Sequence, residues 1–139
     1  PAWMVVARHL LEEGRDEECE RLLDDLDSKF PASPGLATSR GDLEESRGNF
    51  DAALDHYVRS MNIHPGDPEV YLAAARALLA KGDERRALGL VEMALDPSGG
   101  QLRPGPRERW DSIRTAVLES GSPEARARIQ RLGVRPGRV

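Results

Sequence analysis

Three glycines, Gly14, Gly48 and Gly82, stand 34 residues apart, and each falls between two stretches with the apolar spacing of a helix. A fixed step of this length marks helix–turn–helix units stacked in a row, because one such pair cannot bury its apolar face alone. The signals on either side keep the same step. Ser33-Pro34 and Asp67-Pro68 each join a capping residue to a proline at the first helical position, where the amide lacks a helical acceptor anyway. Small residues recur at Ala7, Gly41 and Ala75 in the first helix of each pair, and at Cys19, Ala53 and Ala87 in the second. Four residues after the second set come Leu23, Tyr57 and Val91. A short side chain lets two helix backbones approach, and the larger one fills the space beside it.

The central unit, residues 34–67, reads Ala37-x2-Arg40-Gly41-x2-Glu44, then Ala53-x3-Tyr57, then Pro65, with Phe50 just after the turn. One step back it becomes Trp3-x2-Val6-Ala7-x2-Leu10, Cys19-x3-Leu23 and Pro31; one step forward, Tyr71-x2-Ala74-Ala75-x2-Leu78 and Ala87-x3-Val91. These motifs resemble the tetratricopeptide repeat (TPR), W-x2-L-G-x2-Y…A-x3-F…P. The resemblance covers residues 1–97 and implies an all-α chain, a right-handed superhelical solenoid of antiparallel helix pairs. Arg40 and Glu44 depart from the family's apolar preference and predict looser packing of the central first helix.

The expected organisation is three repeats over 1–97 (1–33, 34–67 and 68–97) and a loop over 98–105. A degenerate fourth repeat or capping helix pair over 106–132 and a flexible tail over 133–139 complete it. Individual helices are expected over 2–13, 16–28, 34–47, 50–63, 68–80 and 84–95, with Asn49 capping the fourth. Residues 98–105 lie in a Gly- and Pro-rich break. Beyond it, Trp110-x2-Ile113 and Ala125-x3-Ile129 suit an atypical last unit, which covers an apolar end that has no further neighbour. Hydrophobic content of 39% with only 4% aromatic residues suits a thin helical stack better than a thick globular core.

Catalytic constellations are absent from the sequence. It has no Gly-rich phosphate loop, no H-E-x-x-H and no Cys pair. His9, His56 and His64 stand on different segments at no ligand spacing, so neither a metal nor a cofactor is expected, and the chain reads as no enzyme. Cys19 reads as a small buried packer, and Trp3 and Trp110 as core residues. No apolar run approaches the ~20 residues of a membrane span. Pro1 in place of Met reads as a trimmed or processed start, which leaves both cytoplasm and periplasm open, with the former favoured.

The resemblance implies that first helices line an inner groove. Arg8, Asp42 and Arg76 are 34 apart and are expected to form a charge ladder along it, flanked by Met4, Thr38 and Leu72 and by Leu11, Glu45 and Leu79. A peptide or helix of another protein, carrying both apolar and charged groups, would fit such a surface. The family's carboxylate-clamp members use Lys and Asn in this groove; none stands at these positions, so a chaperone-tail adaptor is disfavoured. Charge is uneven along the chain. Residues 1–102 hold 11 basic against 20 acidic residues (net −9), and residues 103–139 hold 9 against 4 (net +5). Arg126, Arg128 and Arg131 make the end basic, as a face that pairs with the acidic array or as a contact for an acidic partner. The preferred function is a non-catalytic protein–protein interaction scaffold within a larger protein or complex, with no small-molecule substrate. The alternatives are a regulatory appendage of an enzyme and a nucleic-acid-associated module using the Arg-rich end. The overall charge of −4 and the lack of any aromatic residue after Trp110 weigh against the last.

Overall fold

A computed structural model describes residues 2–30, 33–98, 102 and 104–133. All regular structure among them is helical: α1 (Ala2–Glu12), α2 (Asp16–Lys29), α3 (Pro34–Ser46), α4 (Phe50–Ile63), α5 (Pro68–Ala80), α6 (Glu84–Ser98), α7 (Pro104–Ser120) and α8 (Pro123–Gly133). The helices fall into two compact units, Pro1–Pro65 and Gly66–Val139.

The 34-residue step is written in the turns. Gly14, Gly48 and Gly82 all have positive φ, at 74°, 80° and 87°. Each donates its amide to the carbonyl three residues back, and the next residue donates to the carbonyl five back. Arg15 reaches Leu10 at 2.8 Å, Asn49 reaches Glu44 at 2.9 Å and Asp83 reaches Leu78 at 2.9 Å. This is the Schellman ending, which satisfies orphan carbonyls and needs a left-handed residue, hence glycine. The helix starts follow their capping residues. Ser33 accepts from the Leu36 amide, Asp67 from Glu69 and Ser122 from Ala125. Asn49 does otherwise: its side chain makes no cap bond, and its Nδ2 donates to Glu44 Oε2 at 2.9 Å. A carboxylate across the turn competes for the amide group, and the expected cap is lost.

In the first unit, α1, α2 and α3 enclose Ala7, Cys19, Leu23, Leu36 and Leu43, with Trp3, Leu10, Leu11, Leu22 and Leu26 packed around them. Cys19 is fully buried and points its Sγ at the Ala7 carbonyl, 3.8 Å away. Burial pushes its thiol pKa up, and the nearby Asp16 and Asp42 carboxylates push the same way. The α3–α4 joint is close. A Cβ on Gly41 would stand 2.6 Å from Tyr57 Cδ1, and Ala53 and Tyr57 are both fully buried. The expected looseness at Arg40 and Glu44 is therefore corrected. Arg40 is answered by Asp24 at 2.8 Å and Asp27 at 3.5 Å on α2, and Glu44 by Arg47 and Asn49. Polar residues take the apolar places because partners of opposite charge meet them there.

In the second unit α5 packs on α6 and α7, and α8 packs on α6 and α7. Ala75, Ala87 and Val91 are fully buried, and Trp110, Ile113, Val117, Ala125 and Ile129 are buried as well. Glu84 at the start of α6 accepts the Ser122 amide at 2.9 Å and so ties the α7–α8 turn to that helix. That bond holds the Glu84 carboxyl below the usual glutamate range. Helix occupies both ends of the expected 98–105 loop, since α6 continues to Ser98 and α7 begins at Pro104. Prolines at 104 and 106 are compatible with a first turn, whose amides need no helical acceptor. Residues 99–101 and 103 of that loop, and 134–139 of the tail with Arg135 and Arg138, lie outside the described residues.

Candidate partner-binding face

The first-helix positions divide between the two units. Met4, Arg8 and Leu11 lie on α1 and Thr38, Asp42 and Glu45 on α3; Leu72, Arg76 and Leu79 lie on α5 of the second unit. In the first unit, Arg8 is exposed and Met4 is half-buried beside Gly35. Leu11 is half-buried and packs against the core cluster, so only part of it faces outward. In the second unit, Arg76 and Leu79 are half-buried.

Two of the nine expected groove residues are not surface residues. Thr38 is buried, and its hydroxyl meets that of Ser60 at 2.8 Å. Leu72 is fully buried. A 34-residue step places residues at equivalent angles on successive helices, but it does not say how far the neighbouring helices cover that angle. Thr38 is turned inward because a second hydroxyl, Ser60 on α4, satisfies it there.

Asp42 and Glu45 have a structural role besides any binding role. The Tyr57 hydroxyl lies 2.6 Å from Asp42 Oδ1 and 2.9 Å from Glu45 Oε1. The ring lies against Gly41, and its polar end emerges between two carboxylates on the same helix. The spacing 41, 42, 45 on α3 allows this, because Asp42 and Glu45 are three apart and share a face. The repeat pattern alone makes Tyr57 a space-filler; the signal for its second role is a tyrosine where Leu23 and Val91 stand in the other repeats.

At the basic end, Arg126 and Arg131 are exposed. Arg128 forms a two-pronged ion pair with Glu92 on α6, through Nη2 at 2.5 Å and Nε at 3.4 Å. Charge on α8 is thus partly answered within its own unit. Of the histidines, His9 and His64 are exposed, and His56 is half-buried with its pKa pushed down by burial and by Arg59 and Arg40. Among the described residues no group of His, Cys, Asp and Glu could hold a metal ion, and no helix is long and apolar enough to cross a membrane.

Residues 46–100 match the tetratricopeptide repeat family. The Pseudomonas putida protein named probable biofilm formation methyltransferase WspC is 34% identical over 77 residues, 55% of this chain and 17% of that protein. Cellulose synthase operon protein C of Pseudomonas fluorescens is 29% identical over 119 residues, 80% of this chain and 9% of that protein. The chain therefore spans less than a fifth of either curated relative. The type III secretion translocator chaperone SycD of Yersinia enterocolitica shares the fold with a TM-score of 0.65 and 16% identity, over 96% of this chain and 85% of that one. SycD in complex with a peptide of the translocator YopD gives 0.63 and 15%, over 95% and 90%. The match at residues 46–100, the turns repeated every 34 residues and the shared fold agree on one architecture: an all-helical stack of helix pairs that carries a tetratricopeptide repeat at residues 46–100.

Proposed function

We propose that the chain is a non-catalytic interaction module, part of a larger protein or complex, which holds a peptide or helix of a partner protein against its first helices. Arg8 on α1 carries this reading. It is an exposed charge at the repeat-equivalent position of Asp42 on the adjacent α3, with the partly open apolar surface of Met4 and Leu11 beside it. Apolar surface supplies affinity and the neighbouring opposite charges select the partner. A solved chaperone of the same fold holds a peptide of another protein, which supports the same use of the architecture here. The curated relatives are many times longer, which supports a role as one section of a larger chain. In a protein such as the methyltransferase relative, that section would bind and position rather than carry out chemistry.

The test is affinity capture followed by binding measurements with single charge reversals. Arg8→Glu should weaken the captured partner about tenfold or more, the size expected where one attractive pair becomes repulsive. Arg131→Glu should leave it unchanged. Loss with Arg131→Glu and normal binding with Arg8→Glu would move the contact to α8 and contradict the proposal.

A further inference from the structure

We propose that His56 is a protonation switch in the α3–α4 joint, where uptake of a proton on mild acidification loosens the central helix pair. Three departures from the repeat pattern come together at this place. Arg40 stands where the flanking repeats have Val6 and Ala74, Glu44 where they have Leu10 and Leu78, and His56 where they have Leu22 and Leu90. The flanking repeats are apolar at all these positions, and the central repeat is ionisable at each. Leu22 packs against the core cluster of the first unit, and Leu90 is half-buried. His56 is half-buried at the corresponding place on α4, and its Nδ1 is buried with no hydrogen-bond partner among the described residues.

These surroundings suit a neutral imidazole and oppose a charged one. Protonation makes both ring nitrogens donors, and a buried donor carrying charge is costly without an acceptor. The charged groups that act on the ring are Arg59 and Asp55 on its own helix and Arg40 and Glu44 on α3, against which α4 packs in the first unit. Burial is the largest influence and holds the imidazole below the ordinary histidine range; Arg59 and Arg40 act in the same direction, and Glu44 and Asp55 oppose them. Neither carboxylate is placed to rescue the charged ring. Asp55 is exposed and is the adjacent residue of the helix, so the two side chains do not face each other. Glu44 already accepts from Asn49 at 2.9 Å and pairs with Arg47 at 3.5 Å. Arg40 is held in place by Asp24 at 2.8 Å and Asp27 at 3.5 Å on α2. A proton on His56 therefore sets a new cation against Arg40 and Arg59, and relief requires the ring to leave the joint or Arg40 to leave α2. Because the folded ring binds its proton at lower pH than the unfolded one, the joint is fully stable above the ordinary histidine range. Stability falls as pH drops from the unfolded value towards the lowered folded value.

The test follows the His56 ring by nuclear magnetic resonance in the folded chain and again in denaturing urea, from about pH 8 to about pH 5, the span in which histidine changes charge. The folded ring should titrate at lower pH than the same ring in urea. Amide exchange of α4, corrected for its intrinsic pH dependence, reports opening of the joint over the same span. Protection of α4 should fall on acidification in the parent and hold in His56→Leu, which restores the residue of both flanking repeats. The glutamate range, in which the Glu84–Ser122 contribution changes, lies below this window. A ring that titrates at the same pH folded and unfolded would overturn the proposal. So would a His56→Leu chain whose α4 protection falls as steeply as the parent's, because the loss would then belong to other groups.

Discussion

Gly41 lies directly beneath the ring of Tyr57, so that a methyl group at residue 41 would stand 2.6 Å from Cδ1 and 2.9 Å from Cζ. The ring is not free to retreat. It is fully buried, and its hydroxyl lies within hydrogen-bond distance of Asp42 and Glu45 at the far end. Gly41→Ala should therefore destabilise the chain by about 1–3 kcal/mol through overpacking, although alanine is otherwise the better helix former. Chemical denaturation followed by circular dichroism measures this, and a stabilised variant would show that the ring has room to move.

The other end of the same ring gives a second expectation. Tyr57→Phe keeps the packing against Gly41 and removes the hydrogen from between two carboxylates. A loss of about 1–2 kcal/mol is expected, in the range for a hydrogen bond to a charged group in a partly buried place. Asp42→Arg would disturb the same contact, so it tests the joint as much as any partner, and the binding experiment is placed at exposed Arg8 instead.

Ala53 and Asp55 separate the two faces of α4. Ala53 is fully buried and Asp55 is exposed. Ala53→Leu should cost about 1–3 kcal/mol, and Asp55→Ala should stay within about 0.5 kcal/mol of the parent. Equal denaturation midpoints for the two variants would mean that the faces of α4 are misassigned.

The repeated turns should behave alike. Gly14, Gly48 and Gly82 share a positive φ and have open space around the position of a Cβ, so alanine there is strained by backbone conformation alone. Each Gly→Ala change should cost about 1–2 kcal/mol. A turn whose substitution is neutral in thermal denaturation would not be left-handed in solution.

Glu84 and Ser122 give a pH dependence. The Ser122 amide favours the ionised carboxylate, so the folded-state pKa lies below the unfolded one. The stabilisation is present above the ordinary glutamate range and is lost as pH falls through the lowered folded value. Glu84→Gln should lower the thermal midpoint at neutral pH and shrink its difference from the parent on acidification. A difference that stays constant from neutral to acid pH would remove the carboxylate from this account.

Much of this architecture is legible in the sequence, and the reasons are local. A left-handed glycine every 34 residues and a proline after a capping side chain are fixed by backbone geometry, so spacing alone reveals them. Small residues at 7, 41, 75, 19, 53 and 87 are buried as their recurrence implies. Accessibility is not legible in the same way. Thr38 and Leu72 share a repeat position with half-buried Met4 and are themselves buried, because cover depends on which helices lie beside each one. Val6 occupies a core position of the repeat pattern and is nearly half exposed for the same reason. Long-range charge pairing is also hidden: nothing in the spacing joins Arg40 to Asp24 and Asp27, or Arg128 to Glu92, until the helices are packed.

The proposal that a partner is held against the first helices is tested most directly by site-specific photo-crosslinking. A photoreactive residue is placed singly at positions 4, 8 and 11 on α1 and at 126 and 131 on α8, and each variant is irradiated with the captured partner. The account predicts crosslinks from the α1 positions, suppressed by excess unlabelled chain, and none from α8. Crosslinks from 126 and 131 with none from 4, 8 and 11 would contradict it.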